Sequence, residues 1–304
     1  MKKIKTIKQL KNKIKRIPIK LLAVLLSVFN IKRAAITGHY NLLKKENFYK
    51  IVIKNKKFLI EEKNNIEYIK ENYYFIYEFI PEYIYKEYYN GLVHIRSADV
   101  LEQIYDKQQL YVLAREFLQL FRTASSYEKA NFAQLHHLRR GIAIVREISD
   151  EDTFMFWQNT VNKILLENNF HLGLCHGDFH ALNIMHENGV KRLIDLDCVR
   201  MQSIQEFDAI YFIVQEIIYD EKNIWWHEAL KVLPQKLTSV EKYHHFLSEF
   251  VCLDKLNLLM PLYFLDRIGQ DLLYCNSIDE LGSEKLATDI EYWKIFLMEH
   301  HNKC

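Results

Sequence analysis

The chain has 304 residues, 49% of them hydrophobic and 26% charged, with only 8 Gly and 4 Pro. This composition excludes wholesale disorder and collagen-like scaffolds, and the length allows one large domain or two modest ones. The formal charge is +2, yet thirteen Lys or Arg and no acid fall within residues 1–45, so residues 46–304 carry a net −11. The basic character is therefore local, which argues against a general nucleic-acid binder.

Residues 1–33 form the basic segment. Ile4, Ile7, Leu10 and Ile14 recur at helical spacing among lysines. That is the pattern of an amphipathic helix lying on an anionic membrane surface, or of one packing on its own domain. The apolar run from Leu21 to Ile31 has 11 residues, against roughly 20 for a spanning helix. Lys32 and Arg33 follow it directly, unlike the end of a signal peptide. The expectation is a cytoplasmic protein with a peripheral contact at the inner membrane surface. Cys175, Cys198, Cys252, Cys275 and Cys304 contain no C-x-x-C pair, which fits a reducing compartment rather than a disulfide framework or zinc ribbon.

Residues 34–80 read as a β-rich lobe. FYKIVIK (48–54), FLIEE (58–62), IEYI (66–69) and YYFIYEFI (73–80) are rich in β-branched and aromatic residues, with Asn55-Lys56 and Asn64-Asn65 as turns. With AAITGHY (34–40) they predict an antiparallel meander of five strands, ended by Pro81. Residues 81–304 read as a larger, mostly helical lobe, with helices over 110–124, 153–169, 207–218, 239–268 and a last one ending near His300. A small sheet followed by a helical body is an α+β order.

The chemistry concentrates in LCHGDFHALNIMHENGVKRLIDLDCVR, residues 174–200. Phosphoryl transfer needs hard oxygen ligands for Mg²⁺ and a carboxylate to orient the acceptor hydroxyl. Asp178, Asn183 five residues on, and Asp195 after a hairpin supply these in order, with Asn188-Gly189 as the hairpin turn. A second reading takes the alternation of His176, Asp178 and His180, and of Asp195 and Asp197, as strand-borne ligands of a metal-dependent hydrolase.

H-G-D-F-H-A-L-N-I followed by I-D-L-D resembles the aminoglycoside phosphotransferase and choline kinase group of protein-kinase-like enzymes. The resemblance implies an α+β, two-lobed protein-kinase-like fold and transfer of the γ-phosphate of ATP or GTP to a hydroxyl of a small molecule. It makes Asp178 the catalytic base, and Asn183 and Asp195 the ligands of Mg²⁺ and the nucleotide phosphates. His176 and His180 would fix the loop, and Asp208 would accept backbone N–H bonds from it. Asp197 would touch substrate or cap a turn. Tyr77-Glu78-Phe79-Ile80-Pro81 looks like the connection between lobes, where the backbone at Glu78 and Ile80 would meet adenine. The sequence departs from the group in lacking a glycine-rich loop. Its phosphate-binding lysine has no clear counterpart: Glu61 stands at the expected place, with Lys63, Lys54 and Lys57 as candidates, and no room is visible for a helix carrying that lysine's Glu partner. These departures support a non-catalytic, kinase-like nucleotide-binding module, which the intact Asp178, Asn183 and Asp195 oppose, so the enzyme ranks above it. For an active enzyme the basic segment 1–33 favours a sugar or cell-envelope glycan precursor as acceptor, with aminoglycoside and choline-type acceptors as alternatives.

Overall fold

The computed structural model describes residues 33–42, 45–87, 92–97, 101–104, 106–222, 224–274, 278 and 282–301. The basic segment, apart from Arg33, lies outside these residues. Among the described residues no helix is long and apolar enough to cross a membrane. The chain divides into two compact units. Unit 1 takes residues 1–104 and 184–197, and unit 2 takes 105–183 and 198–304.

Unit 1 is built on an antiparallel sheet. Strands β1 (Arg33–Leu42) and β2 (Lys45–Asn55) form a long hairpin. The chain then leaves the sheet through helix α1 (Lys56–Asn72) and the single turn α2 (Tyr74–Tyr77). It returns as β3 (Tyr83–Glu87), β4 (Leu92–Ser97) and β5 (Leu101–Gln103). After a long excursion into unit 2, the hairpin β8 (Ile184–Glu187) and β9 (Val190–Leu193) completes the sheet in the order β3-β4-β2-β5-β8-β9, with β1 on β2.

Three expected strands are helical instead. FLIEE and IEYI both lie in α1, and most of YYFIYEFI is α2 or irregular. Short apolar runs do not separate strand from helix by periodicity alone. The run from Lys56 to Asn72 has no Gly or Pro and is dense in Lys and Glu, which are good helix formers. Asn65, read as a turn residue, sits mid-helix and donates its side-chain amide to the Leu196 carbonyl at 2.9 Å. Strands also continue past Pro81, as far as Gln103.

Unit 2 is helical around a three-stranded sheet, β10 (Arg200–Ile204), β7 (Asn169–Cys175) and β6 (Ser125–Lys129). Helices α3 (Lys107–Thr123), α4 (His136–Ile148) and α5 (Glu151–Glu167) precede β7. Helices α6 (Glu206–Glu221), α7 (Trp226–Ser239), α8 (Glu241–Ser248), α9 (Leu256–Asp271) and α10 (Ser283–His301) follow β10. The expected helices over 110–124, 153–169 and 207–218 are present, whereas the single helix over 239–268 is broken into α8 and α9.

The core of unit 2 is aromatic. Phe117, Trp157, Phe179, Phe212, Phe246, Phe264 and Trp293 are all fully buried. Phe212 stacks on Phe246 at 4.8 Å between ring centroids. Helices α4 and α9 meet backbone to backbone through two glycines. A Cβ on Gly141 would lie 2.0 Å from the Leu265 carbonyl oxygen, and one on Gly269 would lie 2.0 Å from that of His137.

Candidate active site

The loop after β7 carries His176, Gly177 and Asp178. Its backbone turns through Gly177 at φ +77°, where a Cβ would lie 2.1 Å from the Cys198 carbonyl oxygen. Only glycine adopts this conformation without strain and leaves room for that approach. Phe179 then plugs the loop into the core. It is fully buried, edge-on to Phe121 at 6.2 Å and beside Phe212 at 5.9 Å. Burying such a ring contributes about 2–3 kcal/mol.

Asp208 ties down the loop's main chain. Its two carboxylate oxygens accept the N–H of His176 at 2.6 Å and that of Gly177 at 2.9 Å. This is the role the motif resemblance implied. Burial pushes the Asp208 carboxyl up, with His176, the two backbone N–H groups and Arg200 acting against it. His176 is fully buried, and its Nδ1 accepts the N–H of Asp178 at 3.2 Å. His180 Nδ1 likewise accepts the N–H of Leu182 at 3.3 Å. Both histidines therefore serve the loop's backbone. The alternating ligand set of the hydrolase reading needs an extended strand, and these residues instead lie in a loop ending in the 3₁₀ turn Ala181–Asn183. Among the described residues no three His, Cys, Asp or Glu side chains group to hold a metal ion.

The Asp178 carboxylate is ringed by donors. Its Oδ1 accepts the Tyr211 hydroxyl at 2.7 Å and lies 3.5 Å from Arg267 Nη2. Its Oδ2 lies 3.5 Å from His180 Nε2 and 3.4 Å from Asn183 Nδ2. Burial holds the Tyr211 hydroxyl far above the usual phenol range, so it remains a donor. Arg267 also donates Nη1 to the Gly177 carbonyl at 3.2 Å.

Asn183 is fully buried and is brought to Asp178 by the turn between them. Its Nδ2 donates to the Asp178 carbonyl at 2.8 Å. With the amide nitrogen so anchored, the amide oxygen points the other way. Asp195 belongs to unit 1, where it follows β9, is 5% exposed and has a left-handed backbone at φ +67°. The turn that precedes β9 is the expected one, with Asn188 at φ 52° and Gly189 at φ 80°. An amide oxygen and a carboxylate are hard donors that suit Mg²⁺.

Glu78 and Ile80 do not have the expected surroundings. Tyr77–Pro81 is internal to unit 1, and the chain first passes into unit 2 after Ile104. The N–H groups of Glu78, Phe79 and Ile80 donate to the carbonyls of Tyr74, Ile76 and Tyr77. The Glu78 carbonyl accepts from Arg192 at 2.7 Å, and that of Phe79 accepts from the Leu193 N–H at 2.8 Å. Reading an adenine edge takes an uncommitted N–H and C=O, and the N–H groups of Glu78 and Ile80 and the Glu78 carbonyl are already committed to α2 and β9. Glu61, Lys63 and Lys57 are on α1 rather than on a strand, so a helix does follow the hairpin. Lys54 stays on β2, opposite Arg33 and Val93.

No family model matches the chain, and no curated protein matches its sequence. Solved structures do. Choline kinase LicA from Streptococcus pneumoniae is 13% identical with a TM-score of 0.50, over 91% of this chain and 98% of that one. The chain has the protein-kinase-like fold. It is α+β and two-lobed, as the motif resemblance implied. Ethanolamine kinase from Plasmodium vivax (14% identical, TM-score 0.47, 88% and 82% covered) and aminoglycoside phosphotransferase APH(4)-Ia (13%, 0.45, 91% and 98%) are more distant likenesses.

Tyr211 and Arg267 were not singled out in the sequence. Tyr211 had a usable signal, lying three residues after Asp208 and so on the same face of α6. Arg267 had none, because it is 89 residues from Asp178.

Proposed function

We propose that this protein is a small-molecule kinase that moves the γ-phosphate of ATP or GTP to a hydroxyl, with a sugar or cell-envelope glycan precursor as the favoured acceptor. The observation that carries the reading is the held carboxylate of Asp178, clamped through its loop backbone by Asp208 and through Oδ1 by Tyr211. A protein made only to bind nucleotide has no need of so closely held a carboxylate. Asp178 orients the acceptor hydroxyl and takes its proton as the new bond forms. Asn183 and Asp195 would offer oxygen to Mg²⁺, with Lys54, Lys57 and Lys63 as the candidate phosphate-anchoring lysines. Bound Mg²⁺ and nucleotide supply the transferable phosphoryl group and offset the charge that develops on it. Residues 1–33 would bring the enzyme to an anionic membrane surface.

The test is calorimetric titration of ATP and GTP, with and without Mg²⁺, on wild type, Asp195→Ala and Asp178→Asn, followed by ADP release against sugars, choline and an aminoglycoside. Mg²⁺-dependent binding should be lost in Asp195→Ala and kept in Asp178→Asn, while Asp178→Asn loses transfer by about 100-fold or more. Absence of nucleotide binding to wild type sinks the reading and leaves a kinase-like module of another use.

A further inference from the structure

The arrangement around Asp178 also bears on the class of acceptor, given the phosphotransferase reading. Tyr211, which holds Asp178 Oδ1, presents its ring face to Arg267. The guanidinium carbon of Arg267 lies 4.2 Å from the ring centroid. The same guanidinium reaches Asp178 Oδ1 at 3.5 Å and the Gly177 carbonyl at 3.2 Å, and its Nε lies 3.1 Å from Asp271 Oδ1. Burial works against that charge, and Tyr211, Asp271 and Asp178 hold it in place. An aromatic face beside the reacting carboxylate is thus already occupied by a cation from the protein itself.

The neighbouring carboxylates are matched too. Asp271 gives its second oxygen to the Trp226 indole N–H at 3.1 Å. Asp266, five residues back on α9, pairs with Arg200. Asp208 is spent on the loop N–H groups. A hydroxyl on a cationic carrier needs an open aromatic face or an unmatched carboxylate close to the hydroxyl, because the positive centre of an amino alcohol is only two carbons away. A hydroxyl seated at about 2.6–3.2 Å from Asp178 would bring that centre against Arg267. A guanidinium carries five N–H donors, and those of Arg267 that its three polar contacts leave over suit an oxygen-rich carrier.

We infer that Arg267 is a specificity-determining residue: it fills the aromatic face that a cationic acceptor would use, so the hydroxyl delivered to Asp178 belongs to a non-cationic, oxygen-rich carrier such as a sugar or other polyol. The inference separates this chain's acceptor from choline and from aminoglycosides by a single side chain.

The probe is choline, titrated calorimetrically into the full-length protein. Wild type should show no saturable binding at millimolar choline. Arg267→Ala should open the Tyr211 face and gain saturable binding, at least about 10-fold tighter than any seen with wild type. Arg267→Met, which keeps most of the apolar stem against Tyr211, should gain less. Adding Tyr211→Leu to Arg267→Ala should abolish the gain. Thermal melting reports which variants are folded. Saturable choline binding to wild type overturns the inference whatever the variants do, and so does a folded Arg267→Ala that gains nothing. Mg²⁺·ATP titration of the same wild-type sample tests the phosphotransferase reading separately, because the choline experiment needs neither nucleotide nor turnover.

Discussion

Tyr211 donates its hydroxyl to Asp178 Oδ1 at 2.7 Å from a position three residues past Asp208 on the same helix. One face of α6 therefore grips the loop twice, first by its main chain and then by its carboxylate. Tyr211 and Arg267 lie on Oδ1, and Asn183 and His180 lie on Oδ2. A tight, local grip of this kind suits a reaction whose catalysis lies mostly in orientation.

Removing the hydroxyl alone should separate orientation from folding. Tyr211→Phe keeps the ring, its contact with Arg267 and the core packing. We expect kcat to fall by about 10-fold with KM little changed, and stability to fall by only about 1 kcal/mol. Steady-state kinetics beside urea unfolding would check this. An unchanged kcat would show that Arg267 alone suffices to hold Asp178.

Asp208→Ala is expected to be far more damaging to the fold. It leaves two buried N–H groups, of His176 and Gly177, without their acceptor. Losing a charged acceptor that serves two buried donors costs about 3–5 kcal/mol. Amide hydrogen exchange at His176 and Gly177 should accelerate before the global unfolding limit is reached. Protection equal to wild type at both amides would count against the account.

Gly177→Ala tests the close approach to Cys198. The new methyl must displace a backbone carbonyl while the residue keeps a positive φ. A loss of at least about 3 kcal/mol is expected, together with loss of transfer. Melting by circular dichroism reads the first effect and ADP release the second. A near-native melting temperature would mean that the loop has another accessible path.

Acid should weaken the protein well above the carboxylate range, through His137 on α4. Burial, with Arg200 and Arg140 adding to it, pushes this imidazole down to about 2 from its usual 6.5. Among the described residues its buried Nδ1 has no hydrogen-bond partner. The folded state thus refuses a proton that the unfolded chain accepts. The contribution is fully present above pH 6.5 and is lost as pH falls below it, by about 1.4 kcal/mol per pH unit. Urea unfolding between pH 7.5 and 5 should show this slope, and His137→Phe should flatten it. An equal slope in the variant would place the acid sensitivity elsewhere.

The loop after β7 was legible in the sequence because its contacts are local. Asp178 and Asn183 are five residues apart, and the Asn188-Gly189 turn has the left-handed backbone that such a pair favours. Asp208 followed from the motif resemblance. The first lobe was less legible. The residues of α1 include enough Ile, Phe and Tyr to imitate strands, and what decides for helix is their packing, with Ile69 buried and Asn65 reaching to Leu196. Misplacing that helix carried the supposed lobe connection with it, to a segment whose backbone is already committed. Arg267 illustrates a different limit. Nothing around it in the sequence distinguishes it from a surface arginine, and only the passage of α9 behind the loop brings it to Asp178.

The glycine contact between α4 and α9 acquires a wider meaning from that passage. Gly269 lies two residues beyond Arg267, and its missing side chain lets α9 come down onto the His137 carbonyl. The height of the guanidinium over Tyr211 is therefore set by how near two helices can draw together. A methyl group at Gly141 or Gly269 would force the helices apart at a cost in stability, and would lift the arginine off its ring from outside the reacting centre.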